Sequence, residues 1–483
     1  MRTPARARLA AAAAALVLLA ACTGGGTRSA SSASSTTAPR STTTTEEPGV
    51  GDMLSSLLKG LTGGGGPGIT GALLNDCGSA LAGAGGSAGL LPHDEPTDPG
   101  EQLRQIATSV EELRHLGFSH VPDPLYVTPQ ELSRRVREET VKGQDPATDA
   151  ATSRALIALG ALPAGSDIDA LTTQALGDQV AGYYDPATGQ LVVGRAAGKS
   201  GGLDGAARTV LAHELDHALT DQALHLPVDE GRVAPGTEDA ALARLALIEG
   251  DATLLMQQYS LGHVALLEQL QGMGGALASQ EQLDRLPHFV QRSITFPYFD
   301  GLSFACRLYA AGGWQAVDAA YRNPPTTTAQ VLYPGRYQSG EKAITPRPIP
   351  TPGGSWKASP AQSLGAAELA WLLEAPGGDT GRALDDPAGR AAAWAGGTVQ
   401  SFADGERTAV GVGLVQRAGE RRLCDTVKAW YTAAFPDARP ARAGEGEAMA
   451  VDGAVQDAVL RCPGNDVRLG IGPDLSTARA LAG

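Results

Sequence analysis

Apolar and polar positions change their period several times along the chain, and each change marks a different kind of segment. Arg2, Arg6 and Arg8 precede an apolar run from Leu9 to Ala21, too short to span a bilayer comfortably, which reads as an export signal. From Thr23 to about Pro67 the residues are Ser, Thr, Gly and Pro with few apolar anchors, including Ser41-Thr42-Thr43-Thr44-Thr45. Such a stretch cannot bury enough surface to offset chain entropy and is expected to be a spacer. Helical periodicity then predicts helices over Glu101–Leu116 and Pro129–Val141, with a short extended piece at Pro124–Thr128. Val180–Tyr184 and Gln190–Gly194 flank a turn at Asp185–Gly189, the pattern of a β-hairpin. Two long helices follow, Gly205 to about Leu224 and Glu238 to about Leu261, joined by a loop holding Pro227, Gly231, Pro235 and Gly236. Another helix is predicted over Phe304–Tyr321, and strands over Thr398–Phe402, Thr408–Gln416, Ala454–Arg461 and Asp466–Ile471.

A Pro-rich passage from Pro346 to Pro352 sets the expected domain boundary. The expected organisation is a signal peptide (1–21), a tether (22–100), a mostly helical domain with a small β-hairpin or sheet (101–345), a linker (346–360) and a smaller α+β domain (361–483). The fold class is α+β.

At 483 residues the chain has material for two to three folded units once the spacer is subtracted. Aromatic residues make up only 5%, so the apolar packing must lean on Ala, Leu and Val. A net charge of -14 argues against a nucleic-acid partner and against broad adhesion to anionic lipid, since both need clustered Lys and Arg. Membrane attachment has a different source. Leu19-Ala20-Ala21-Cys22 resembles the bacterial lipobox, in which the thiol is diacylated and the preceding peptide removed. The resemblance implies an extracytoplasmic protein anchored to the cell membrane by lipid on Cys22. Four cysteines remain in an oxidising compartment, where three pairings are possible. Cys424 with Cys462 is favoured because both lie in one C-terminal segment, which leaves Cys77 with Cys306 by elimination. Neither spacing resembles a CxxC zinc or redox site.

The chemistry sits in the first long helix, where His213-Glu214-Leu215-Asp216-His217 is an HExxH motif. Residues four apart share a helix face, so both imidazoles can reach one Zn²⁺ while the adjacent Glu214 leans toward the water that the cation activates. A catalytic zinc needs a third protein ligand. In the second long helix Leu242, Leu245, Glu249, Ala252, Met256 and Tyr259 recur at three- and four-residue steps, so Glu249 lies inside an apolar stripe. An ionised carboxylate there costs several kcal/mol unless paired. Zinc on the neighbouring helix is one partner, and a buried Arg is the alternative. Glu238 and Asp239 suit capping of that helix better than ligation, and Asp251 is turned about 200° from Glu249.

The helix pair resembles the gluzincin group of zinc peptidases, which carry HExxH on one helix and a ligand Glu on the next. The matching residues are His213, Glu214, His217 and Glu249, the last within Ile248-Glu249-Gly250-Asp251-Ala252. The resemblance implies a zincin-like domain binding one zinc ion. Where that group often has a carboxylate one turn after the ligand Glu, this chain has Thr253, which leaves Asp221 and Asp251 both open as partners of the histidines. Gly182-Tyr183-Tyr184-Asp185-Pro186, HELDH, Glu249-Gly250-Asp251-Ala252, Gly313-Trp314 and Asn323-Pro324-Pro325 together resemble exported actinobacterial lipoproteins of the zinc-protease-like type. Those proteins have a His-Pro where this chain has Tyr333-Pro334, so the residue that stabilises the oxyanion does not carry over.

The expectation is a zinc peptidase acting on a peptide or protein in the cell envelope, with Glu214 as base and then acid. Tyr333 is the first candidate oxyanion donor, with Tyr183, Tyr184 and His288 behind it. The strand Gln190–Gly194 is expected to offer a free edge to an extended substrate. The competing expectation is a catalytically weak or inactive envelope lipoprotein that binds or scaffolds.

Overall fold

The computed structural model describes residues 76–78, 80, 81, 89, 96–142, 145–179, 181–194, 202–226, 233–269, 281–420 and 422–483. The export signal, Cys22 and the Ser/Thr-rich spacer lie outside the described residues. Helix α1 (Pro99–Arg114) starts where the Asp98 carboxylate accepts from the Glu101 N–H, with Pro99 in the first turn where no amide donor is needed. It ends at His115, whose φ of 57° is left-handed. After β1 (Pro124–Val127) come α2 (Pro129–Lys142), α3 (Pro146–Ala158) and α4 (Ile168–Gln179).

The expected hairpin is present as β2 (Gly182–Asp185) and β3 (Gln190–Gly194), closed by a turn in which the Asp185 carbonyl accepts from Gly189 at 2.7 Å. The edge assignment needs correction. β3 is the central strand, antiparallel to β2 with Tyr184 opposite Leu191, and parallel to β1 with Leu125 opposite Val192. Its Leu191, Val192 and Val193 are buried, the run of consecutive apolar residues that suits a strand covered on both faces. The outer edge beside the candidate site therefore belongs to β2.

Three long helices form the body: α5 (Gly205–Leu224), α6 (Glu238–His263) and α7 (His288–Arg322). The last begins sixteen residues before the expected Phe304, because the helix runs through Pro297 instead of starting after it, and it is interrupted at Gly312 and Gly313. α6 and α7 cross at a pair of glycines. A Cβ on Gly250 would overlap the Gly301 carbonyl, and one on Gly301 would overlap the Ala246 carbonyl, so the backbones touch one residue away from Glu249.

The chain continues through α8 (Thr328–Leu332), α9 (Pro334–Gln338), β4 (Lys357–Ala358), β5 (Gln362–Ser363), α10 (Ala366–Glu374) and α11 (Pro387–Ala391). It ends with β6 (Trp394–Asp404), β7 (Arg407–Gln416), α12 (Leu423–Ala434), β8 (Arg439–Pro440), β9 (Glu447–Asp452), β10 (Asp457–Arg461), β11 (Asp466–Gly472) and α13 (Leu475–Ala482). The C-terminal sheet is antiparallel in the order β4-β6-β7-β11-β10-β9-β8, with β5 also paired to β6. The expected strand from Ala454 starts at Asp457, since Val455 sits 91% exposed in a turn, and β9 before that turn was not anticipated.

Two of the expected boundaries also move. The tether does not reach residue 100: Cys77 and Ala80 are buried, Cys77 is joined to Cys306, Asp76 pairs with Arg307 at 2.8 Å, and the Ala80 carbonyl accepts from Gln258. The passage 346–360 is not a free linker. Pro346 and Ile349 lie against Gly413 and Gly411 of β7, Arg347 pairs with Asp466 at 2.9 Å, and Ser359 bonds to Ser401. One apolar core runs from α1 through α5, α6 and α7 to the C-terminal sheet, because α10 returns Trp371 onto Phe289 and Phe296. The second disulfide joins Cys424 to Cys462, so both expected pairings are present in the structure.

Candidate metal centre

Helix α5 is capped by Asp204, which accepts from the Ala207 N–H, and is buried from Gly205 to Thr220 apart from Ala206 and Ala207 in its first turn. A hundred degrees per residue sets His213 and His217 about 40° apart around the helix axis, so both rings leave the same face. α6 lies beside it. Its start is fixed by Glu238, which accepts from Ser363, and by Asp239, which accepts from the Thr328 N–H, so neither acid approaches the histidines as a ligand.

This docking carries Glu249 to the two rings. Glu249 Oε2 is 3.3 Å from His213 Nε2 and 3.5 Å from His217 Nε2, and the two nitrogens are 3.1 Å apart. Tetrahedral zinc with bonds of about 2.0–2.1 Å separates its ligand atoms by about 3.3–3.4 Å. The triangle has the edges such an ion requires. All three side chains are buried, and Glu249 Oε2 accepts no well-formed hydrogen bond. The donor set, two imidazole nitrogens and one carboxylate oxygen, suits zinc, and it is the one such group of His, Cys, Asp and Glu among the described residues. The buried Arg that could have paired with Glu249 instead binds its neighbour: Arg114 donates to Asp251 at 2.9 Å.

Glu214 stands beside the triangle. Its Oε2 accepts the Tyr184 N–H of β2 at 2.8 Å, and its Oε1 has no hydrogen-bond partner. Burial pushes its carboxyl up to about 8, against the opposing effects of His217 and the Tyr184 amide. Burial disfavours a charged His217, but the Glu249 carboxylate outweighs it and holds the ring up to about 9. Burial likewise disfavours the Glu249 anion, yet the two imidazoles bring it down to about 2. His213 is lowered by burial, with Glu249 and the Ala252 backbone acting the other way. The Glu249 carboxylate thus favours a proton on His217, while burial disfavours one on His213.

The expected oxyanion donors are elsewhere. Tyr333 gives its hydroxyl to the Ala388 carbonyl at 2.7 Å and stacks on Arg336. Tyr183 faces Leu132 and Val136, the Tyr184 hydroxyl donates to Asp221 at 2.9 Å, and His288 pairs with Glu374 at 2.8 Å. Tyr298 of α7 is the tyrosine at the centre. Its ring lies 6.3 Å from that of His213, nearly parallel to it, and its hydroxyl adjoins Glu249. Burial, with the Glu249 and Glu214 charges, raises its pKa well above the ordinary value and keeps it a hydrogen-bond donor. Of the two acids left open as histidine partners, Asp221 takes the Tyr184 hydroxyl and Asp251 takes Arg114 and Tyr321. Thr253 is buried with its hydroxyl unpaired. No protein-family model, curated protein or solved structure matches this chain.

Proposed function

We propose that the chain is a zinc-dependent peptidase with a zincin-like helical core, and that it works outside the cytoplasmic membrane on a lipid anchor at Cys22. The observation that supports this most is the ligand-atom triangle with edges of 3.1, 3.3 and 3.5 Å, set beside a carboxylate with one free oxygen. His213, His217 and Glu249 would hold the ion, which supplies Lewis acidity toward water and a peptide carbonyl.

The chain's own groups have distinct tasks. Glu214 accepts the proton of the attacking water on Oε1 while the Tyr184 amide holds Oε2, which keeps the carboxylate aimed. The same group then passes that proton to the leaving amine. The Tyr298 hydroxyl, beside Glu249, is the proposed oxyanion donor, a part for which Tyr333 is engaged elsewhere. The outer edge of β2, apart from the Tyr184 amide that Glu214 takes, is the proposed strand edge for aligning an extended peptide substrate in the cell envelope.

A second reading draws on burial. His213 and Glu214 are 0% exposed, Glu249 1% and His217 3%, which also suits a closed structural zinc in a binding or scaffolding lipoprotein. One experiment separates the two: zinc content and peptide-library turnover of the purified chain beside Glu214→Gln. The peptidase reading expects one zinc per chain in both proteins and a loss of turnover of about 10²–10⁴-fold in the variant. Stoichiometric zinc without turnover in the parent protein supports the scaffold, and absence of zinc removes both.

A further inference from the structure

Next to the three candidate ligands, a buried guanidinium gathers carboxylates from three helices. Arg114, the last residue of α1, has a fully buried side chain. Its Nη2 donates to Asp251 of α6 at 2.9 Å, its Nη1 donates to Asp318 of α7 at 2.8 Å, and its Nε lies 3.4 Å from Asp216 Oδ1 of α5. The ring of Trp314 is 4.4 Å from the guanidinium carbon, and the Tyr321 hydroxyl donates to the same Asp251 oxygen at 2.7 Å. Asp216 immediately precedes His217, and Asp251 is the second residue after Glu249.

We propose that Arg114 is a positioning residue for the metal: hydrogen-bonded to Asp251 and in charge contact with Asp216, it sets the spacing of α5 and α6 and hence the His213–His217–Glu249 triangle. The proposal rests on the zinc reading of that site. Its energetics argue against a role in stability alone. One cation faces three carboxylates, both Asp216 oxygens and Asp251 Oδ1 lack hydrogen bonds, and apolar residues of similar volume generally replace such clusters without loss. What the cluster supplies is registry, because a planar guanidinium fixes the direction of each partner and a lysine ammonium does not. Two of those partners sit on the ligand-bearing helices, so a rotation of α6 strains the Arg114–Asp251 hydrogen bond and a rotation of α5 changes the Arg114–Asp216 charge contact. Groups that orient ligands in this way typically change metal affinity by about 10–100-fold when altered.

The test compares the full chain with Arg114→Lys, Asp318→Asn and Arg292→Lys. The last alters a partly buried ion pair with Glu374 that does not touch the α5–α6 pair. Three quantities are read: zinc dissociation constant by chelator competition, the visible spectrum of the cobalt-substituted protein, and the melting temperature of the zinc-free protein. Arg114→Lys is expected to weaken zinc by about 10–100-fold and to shift the cobalt spectrum. Asp318→Asn, whose carboxylate is 16% exposed, is expected to fold and to weaken zinc several-fold. Arg292→Lys is expected to lower the melting temperature while leaving affinity and spectrum unchanged. Unchanged affinity and spectrum in Arg114→Lys overturn the proposal, and if that variant does not fold, the same result in Asp318→Asn does so. A parent chain that binds no zinc instead overturns the zinc reading itself, and this is seen before any variant is compared.

Discussion

Zinc uptake should be strongly pH-dependent, because the zinc-free site keeps a proton that the ion must displace. Burial opposes a charge on His217, but Glu249 prevails and holds the imidazole up to about 9. Zinc takes only the neutral ring. At pH 7 roughly one His217 in a hundred is neutral, so the apparent affinity lies about 100-fold, or roughly 3 kcal/mol, below its limit at high pH. The sign follows directly: the metal-free form binds the proton below about 9 and the metal-bound form does not, so affinity rises with pH by about tenfold per unit and levels off above about 9. Glu214, held up to about 8 by burial, adds to the proton release when a neighbouring cation restores its charge. Glu249→Gln removes the strongest of the groups that raise His217 and leaves the smaller effects of Glu214 and Asp216 against burial, so the variant should bind zinc more weakly yet with a flatter pH dependence. Calorimetric titration of zinc into the full chain, in buffers of different protonation enthalpy near pH 7, counts the protons. The expected count is roughly one to two for the parent chain and at least one fewer for Glu249→Gln. Zinc binding by the parent without proton release, or an unchanged slope in the variant, would refute the electrostatic account.

Two further substitutions test the surroundings of the triangle. Gly250→Ala places a methyl group against the Gly301 carbonyl, so it should destabilise the fold by about 1–3 kcal/mol and weaken zinc through the adjacent Glu249; melting and chelator competition check both. Tyr298→Phe should lower kcat by about 10²–10³-fold with little change in KM, whereas Tyr333→Phe, which loses a bond to Ala388, should leave kcat near the parent value. Equal kcat in Tyr298→Phe and the parent takes Tyr298 out of the proposed reaction.

The candidate triangle of His213, His217 and Glu249 was legible because local helix geometry wrote it into the sequence. HExxH fixes two imidazoles on one face, and a lone carboxylate in the apolar stripe of α6 had to meet a partner. The features that were missed depend on tertiary pairing. β3 looked like an edge because its parallel partner, Pro124–Val127, is 60 residues or more distant in sequence, with three helices, α2, α3 and α4, between them. Tyr298 was passed over because it lies before Phe304, where the helix was expected to start, and Tyr333 was favoured by its place next to Pro334. Asp216 occupies a variable position of HExxH and so carried no signal; only the fold reveals that Arg114 meets it. The Pro-rich passage at 346–352 read as a linker because proline excludes helix and central strand, but residues without regular pairing can still line a sheet whose glycines, Gly411 and Gly413, make room for them.

The central claim is that one zinc ion is gripped by groups from α5 and α6. A crystal of the purified chain measured on both sides of the zinc absorption edge tests it most directly. The account predicts a single anomalous peak with His213 Nε2, His217 Nε2 and a Glu249 oxygen at about 2.0–2.2 Å. A peak coordinated by other residues, or none at these three side chains in zinc-replete protein, would contradict it.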